Sequence, residues 1–256
     1  MHKWFNQVID IHCHFLHSDI PERTYGDNLT YGRLINESLE FLQNEHQQIG
    51  VNKIAMSTFF SLYYPDKIES ENEYLKKIRG ENEGVLQWVV VDPRIEETFA
   101  QAQRLLLENG VLGIKIHSPM HKYDIHQYAD KIFGWANECK TTVLMHPDDK
   151  IFCAKLADKY PDMNLIIAHL GDVEYIEAIK SSKHQNVYTD TSGIASYKNN
   201  IIEYAINNIG SERILFGTDT YSCAFQLGRI YFANISEDDK ENILFKNAQR
   251  IFKGKL

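Results

Sequence analysis

The stretch VIDIHCHF, residues 8–15, decides how this chain is read. Its β-branched and apolar residues follow one another almost without a break, as in a strand covered on both faces; a half-solvated strand would alternate. Side chains along a strand alternate with period two, so His12 and His14 share a face while Cys13 between them points the other way, toward a helical layer. With 11 histidines in 256 residues an H-x-H pair is unexceptional by composition. Context must decide between a metal grip and two core histidines held by hydrogen bonds.

Working outward, seven more runs of the same kind recur in order: NKIAMSTFF (52–60), LQWVVVD (86–92), LGIKIH (112–117), TVLMHP (142–147), NLIIAHLG (164–171), NVYTDTSG (186–193) and RILFGTDT (213–220). Between them lie segments of helical period such as RLINESLEFLQNEHQQIG, EETFAQAQRLLLENG and YADKIFGWANECK, with Gly50 and Gly110 where helix ends favour a left-handed residue. SEDDKENILFKNAQRIF adds a last helix, opened by a serine cap and acidic residues suited to a helix N-terminus. Nearly continuous apolar strands, each followed by a helix, require a parallel sheet covered on both faces, and eight such units close most naturally into a barrel. The expectation is an α/β fold, a (β/α)8 TIM barrel, forming a single domain over residues 1–256. Residues 17–33, the long connection after the first strand, are the expected loop over an active site.

Composition narrows the partners. A formal net charge of −8 and a pI near 5.8, with no dense Lys/Arg cluster, argue against a general grip on nucleic acid or anionic lipid. The expected partner is a small-molecule substrate; homo-oligomerisation stays open. Cys13, Cys139, Cys153 and Cys223 form no C-x-x-C pair and read as reduced thiols. No run has the length of a signal peptide core or a membrane span, so the expected location is cytoplasmic.

In such a barrel, residues at the carboxyl ends of the strands converge on one mouth. His12 and His14 come from the first strand, Lys115 and His117 share a face of the fourth, His146 ends the fifth, His169 the sixth and Asp219 the eighth. Zinc and its neighbours take imidazole nitrogen and carboxylate oxygen. The pattern therefore suits one divalent metal, with zinc the best match, whose bound water becomes a nucleophile at neutral pH.

DIHCHF, GIKIHSP, VLMHP, NLIIAHLGD, NVYTDTSG, RILFGTDT and ENILFKNAQRIF, in that order and spacing, resemble the amidohydrolase superfamily. The similarity is greatest to the amidohydrolase-related branch that includes aminocarboxymuconate semialdehyde decarboxylases and several lactonases. The resemblance implies that His12, His14, His146 and Asp219 bind the metal, that His169 holds the metal-bound water or substrate, and that Asp219 also takes the proton. It also raises a carboxylated Lys115 bridging a second metal as an alternative, although GIKIH resembles the mononuclear pattern more closely. Lys115 and His117 are otherwise the substrate-binding candidates.

Hydrolysis of a lactone, amide or related bond is the leading expectation, with metal-dependent decarboxylation as the alternative, because both need a Lewis acid and a placed proton carrier. A catalytically silent barrel is the third reading. Arg94 either meets an anionic substrate or ties its loop to Asp92 or Glu96, the tie being favoured; His121 and His126 are expected at the surface, and the aromatic run after the second strand to serve packing or an apolar wall.

Overall fold

The computed structural model describes residues 3–15 and 39–256. Eight strands, β1 (Val8–Phe15), β2 (Val51–Thr58), β3 (Val85–Val90), β4 (Val111–Ile116), β5 (Thr142–Met145), β6 (Asn164–Ile167), β7 (Val187–Asp190) and β8 (Ile214–Leu215), pair in chain order. Every pairing is parallel. The last strand returns to the first: Ile11 N–H donates to Phe216 O at 3.0 Å, Thr218 N–H to His12 O at 3.0 Å, and Cys13 bridges to Asp219. The result is a nearly closed TIM barrel with helices alternating around it, as the apolar runs predict.

The helices are α1 (Leu39–Gln48), α2 (Phe59–Tyr63), α3 (Ile68–Glu81), α4 (Glu96–Leu105), α5 (Ser118–His121), α6 (Ile125–Glu138), α7 (Lys150–Ala157), α8 (Val173–Ser181), α9 (Ile201–Ile209), α10 (Cys223–Phe232), α11 (Glu237–Glu241) and α12 (Asn247–Ile251). Gly50 and Gly110 have φ of 79° and 78°, the left-handed conformation expected of them. Ser236 caps α11 in a reciprocal capping box with Asp239. Among the described residues, no helix is long and apolar enough to cross a membrane.

Several boundaries differ from expectation for physical reasons. The run ending at Phe60 leaves the sheet at Thr58, whose hydroxyl accepts from Ser61 N–H and starts α2. The eighth run, expected over 213–220, keeps only Ile214 and Leu215 in the ladder, because Asp219 turns to φ 56°. Strand β1 carries a register shift between Asp10 and Cys13, which turns Asp10 toward α1 while His12 and His14 face the barrel. The proposed 17–33 loop lies outside the described residues.

The barrel floor is filled by Trp88, whose Nε1–H donates to Ile11 O at 2.7 Å and whose ring meets Phe252 edge-on. Gly113 on β4 makes room for it. A methyl group there would stand 2.1 Å from Thr142 O and 2.8 Å from the Trp88 ring. We expect Gly113→Ala to destabilise the protein by about 1–3 kcal/mol through overpacking. Thermal unfolding checks this, and a wild-type Tm would show that the strands can part at no cost.

Candidate metal centre

At the carboxyl end of the barrel, two side chains of the first strand and one from the far end of the sequence offer nitrogen and oxygen to one point. His12, His14 and Asp219 each present a ligand atom within 4.8 Å of the other two. His12 Nε2 lies 3.1 Å from His14 Nε2, and His14 Nε2 lies 3.3 Å from Asp219 Oδ1. The two histidines face inward together because they are two apart on one rigid strand.

The far side of each imidazole is tied down. His12 Nδ1–H donates to Asp190 Oδ2 at 2.9 Å, and His14 Nδ1–H faces Ser57 O at 3.2 Å with Ser57 Oγ at 2.9 Å. These partners assign the protons to Nδ1 and leave both Nε2 lone pairs on the side where the two rings face each other, with that of His14 beside Asp219 Oδ1. Metal-binding histidines need that arrangement: a lone pair toward the ion, and the other nitrogen donating to a carboxylate or carbonyl. The residues therefore fit a divalent ion.

Electrostatics point the same way. Burial, then the Lys115 ammonium, push the His12 and His14 imidazoles well below their usual range. Burial likewise lowers His169 strongly and His146 to about 3. All four rings are neutral near pH 7, as ligation requires. Burial raises the Asp219 carboxyl above the ordinary carboxylate range, with Lys115 opposing. Burial also lowers the Lys115 ammonium, with Asp219 and Asp190 opposing.

The other sequence candidates reach the same mouth in different ways. His169 sets Nε2 3.7 Å from Asp219 Oδ2 and 3.2 Å from His146 Nδ1. His146 thus meets the centre through His169, and it stands outside the close trio of His12, His14 and Asp219. Lys115 is fully buried, with Nζ 3.0 Å from His12 Nε2. His117 stacks on His146 with ring centroids 3.9 Å apart, while its Nδ1 accepts from Met120 N–H and caps α5. Phe59, at the start of α2, brings its ring within 5.2 Å of His14.

Two expectations about the surroundings resolve clearly. Arg94 grips Asp92 with two nitrogens, Nε at 2.9 Å and Nη2 at 2.6 Å, so it ties its own loop. His121, expected at the surface, is buried, and its Nε2 meets Ser61 O at 2.9 Å. That contact joins α5 to α2. His126 is half exposed, 3.5 Å from Asp149.

Sequence reasoning missed Asp190 and Ser192. Asp190 ends β7 fully buried and accepts four hydrogen bonds: Oδ2 from His12 Nδ1, and Oδ1 from His169 N–H at 3.2 Å, Ser192 N–H at 2.8 Å and the Ser192 hydroxyl. Ser192 Oγ in turn accepts from His169 Nδ1 at 2.8 Å. One carboxylate therefore orients two histidines, the second through a hydroxyl. It also braces His169, whose φ of 66° is left-handed and uncommon for a side chain of this kind. The only signal in the sequence was its place at a strand's carboxyl end.

Comparison with known proteins follows the same lines. Gamma-resorcylate decarboxylase of Polaromonas sp. strain JS666 is 31% identical over 121 residues, which cover 38% of this chain and 36% of that relative's length. The solved 2,6-dihydroxybenzoate decarboxylase from Rhizobium superposes with a TM-score of 0.77 at 17% identity, covering 97% of this chain and 99% of that one. The 5-carboxyvanillate decarboxylase of Novosphingobium aromaticivorans, solved with manganese and a nitrobenzoic acid, gives 0.75 at 15% identity, with 98% and 97% covered. The sequence profile of the amidohydrolase family matches residues 9–254. With the eight-stranded barrel and the histidine pair of its first strand in place, the chain belongs to the amidohydrolase family.

Proposed function

We propose that this protein is a metal-dependent decarboxylase of a small hydroxylated aromatic carboxylic acid. The observation that carries the reading is Asp219, a largely buried carboxyl group set 3.3 Å from His14 Nε2 and 3.7 Å from His169 Nε2 at the barrel mouth, where it can hand a proton to a substrate. The decarboxylase relatives support carbon–carbon cleavage, the alternative in the sequence reading, over hydrolysis, its leading expectation; the ligand types suit both. The sequence of events needs one proton in and one carbon dioxide out. The Asp219 carboxyl gives its proton to the ring carbon that bears the carboxylate. The bond from that carbon to the carboxylate then breaks, its electron pair restores the aromatic ring, and carbon dioxide leaves. Asp219 ends as a carboxylate and regains a proton from water, with His169 beside it as the relay.

His12, His14 and Asp219 would hold the metal, with His146 as the fourth ligand carried over from the family resemblance. When bound, a divalent ion there supplies Lewis acidity to the substrate's oxygens. The mixed nitrogen and oxygen donors suit zinc and manganese alike. Lys115 and His117 are the proposed substrate contacts, and the Phe59 ring beside His14 offers a planar substrate an apolar wall.

The test is a panel of ortho-hydroxybenzoates incubated with protein loaded with manganese or zinc in deuterated water. Carbon dioxide release with one deuterium at the vacated ring carbon is the expected result. Turnover of lactones or amides without any such release would overturn it. Lys115→Ala is expected to raise KM for the anionic substrate by about 10-fold or more, a loss of roughly 1.4 kcal/mol, while metal content stays near one equivalent. Two metals per chain in the wild type, both lost in this variant, would instead mark Lys115 as a carboxylated bridge.

A further inference from the structure

A second buried carboxylate lies behind the centre, between the first helix and the turn that carries Asp219. Asp10, His46 and Thr218 are each at most 1% exposed. Asp10 Oδ1 accepts from His12 N–H at 3.0 Å and Thr218 N–H at 3.3 Å; Oδ2 accepts from Thr218 Oγ1–H at 2.5 Å and meets His46 Nε2 at 2.9 Å. The His46 ring is held at its other end as well, with Nδ1 2.7 Å from Leu42 O on the same helix. One carboxylate thus joins helix α1, the backbone of the first histidine of the pair and the residue immediately before Asp219.

That last connection matters because of the backbone of Asp219. Its φ is 56°, a left-handed conformation that most residues other than glycine avoid and that aspartate adopts where local hydrogen bonds support it. Such a residue persists only when its surroundings hold it. Asp219 N–H donates to His12 O at 2.6 Å, and Thr218 is gripped by Asp10 through both its amide and its hydroxyl. The arrangement parallels that at His169, another left-handed residue of the site, whose amide Asp190 takes.

We propose that Asp10 and His46 are positioning residues: they hold the Thr218–Asp219 turn so that the Asp219 carboxyl stays aimed at His14 and His169. The inference rests on the proposed role of Asp219, but its geometry can be read without turnover. Cys13 places its sulfur close enough to Asp10 and His46 to suggest a metal site, yet both Asp10 oxygens and both His46 nitrogens already have partners. The cluster is a brace.

The experiment compares His46→Leu, His46→Gln and Thr218→Val with the wild type by amide hydrogen exchange across residues 216–221, by manganese titration and by kinetics on a turned-over substrate. In His46→Leu and Thr218→Val, exchange across the turn should quicken by about 10-fold and manganese affinity fall by about 10–100-fold, with kcat reduced and KM little changed. His46→Gln keeps a donor toward Asp10 and should recover a large part of each loss. Thr218→Val guards against a folding failure at His46, since it removes one hydroxyl and preserves shape. Exchange and affinity within about twofold of wild type in both variants would overturn the proposal, as would a second equivalent of metal lost on replacing His46. If the wild type decarboxylates nothing, the exchange and titration arms still decide the positioning role.

Discussion

Asp219→Asn is expected to lower turnover by about 10²–10⁴-fold, the range for removing a placed general acid or base, while the protein stays folded and keeps much of its metal. The fold survives because asparagine is among the few residues that tolerate a left-handed backbone, and φ at this position is 56°. The amide retains one oxygen for the centre but has no proton to deliver to a ring carbon and none to take back. Turnover and metal content measured on the same sample separate the two functions of the side chain. Full activity would exclude Asp219 from proton transfer. Loss of metal and of the cooperative unfolding transition together would make the position structural.

The barrel was legible in the sequence because parallel strands buried on both faces leave runs of apolar residues that polar helices interrupt. All eight runs fall on strands, and their carboxyl ends carry the site. What the runs do not encode is where a strand stops. FGTDT reads as more strand, yet the regular ladder ends at Leu215, and Asp219, turned left-handed at the site, keeps only an isolated bridge to Cys13. His12 and His14 were visible through local spacing, whereas Asp10 has the parity of an inward-facing residue and turns toward α1 only because the register shifts beside it. His121 looked like a surface histidine; its burial follows from Ser61, 60 residues earlier in the chain. Asp190 meets His12 across 178 residues, and Asp-Thr-Ser after a strand looks like an ordinary turn. Applying the strand-end rule to the seventh run as strictly as to the others would have flagged it.

Asp190→Asn is expected to weaken metal binding by about 10–100-fold or more, although Asp190 is not among the proposed ligands. Three donors converge on Asp190 Oδ1, namely the amides of His169 and Ser192 and the Ser192 hydroxyl, so the amide oxygen of asparagine settles there. Its NH2 group then faces His12 Nδ1, where Oδ2 stood at 2.9 Å. Two donors cannot share one hydrogen bond, and the neutral ring relieves the conflict by moving its proton to Nε2. That movement removes the lone pair His12 aims at His14 and Asp219. Nitrogen NMR of the imidazoles reads the tautomer directly, and manganese titration reads its cost. Ser192→Ala is the companion, since it cuts the hydroxyl link from Asp190 to the His169 ring while leaving both the His169 amide on Asp190 and the Asp190–His12 bond in place; at His12 it removes only the 3.1 Å approach of Ser192 Oγ to Nδ1. It should lower kcat with metal affinity near wild type. A His12 ring that keeps its proton on Nδ1 in Asp190→Asn, with undiminished affinity, would mean that the carboxylate orients nothing and that the centre is set by strand geometry alone.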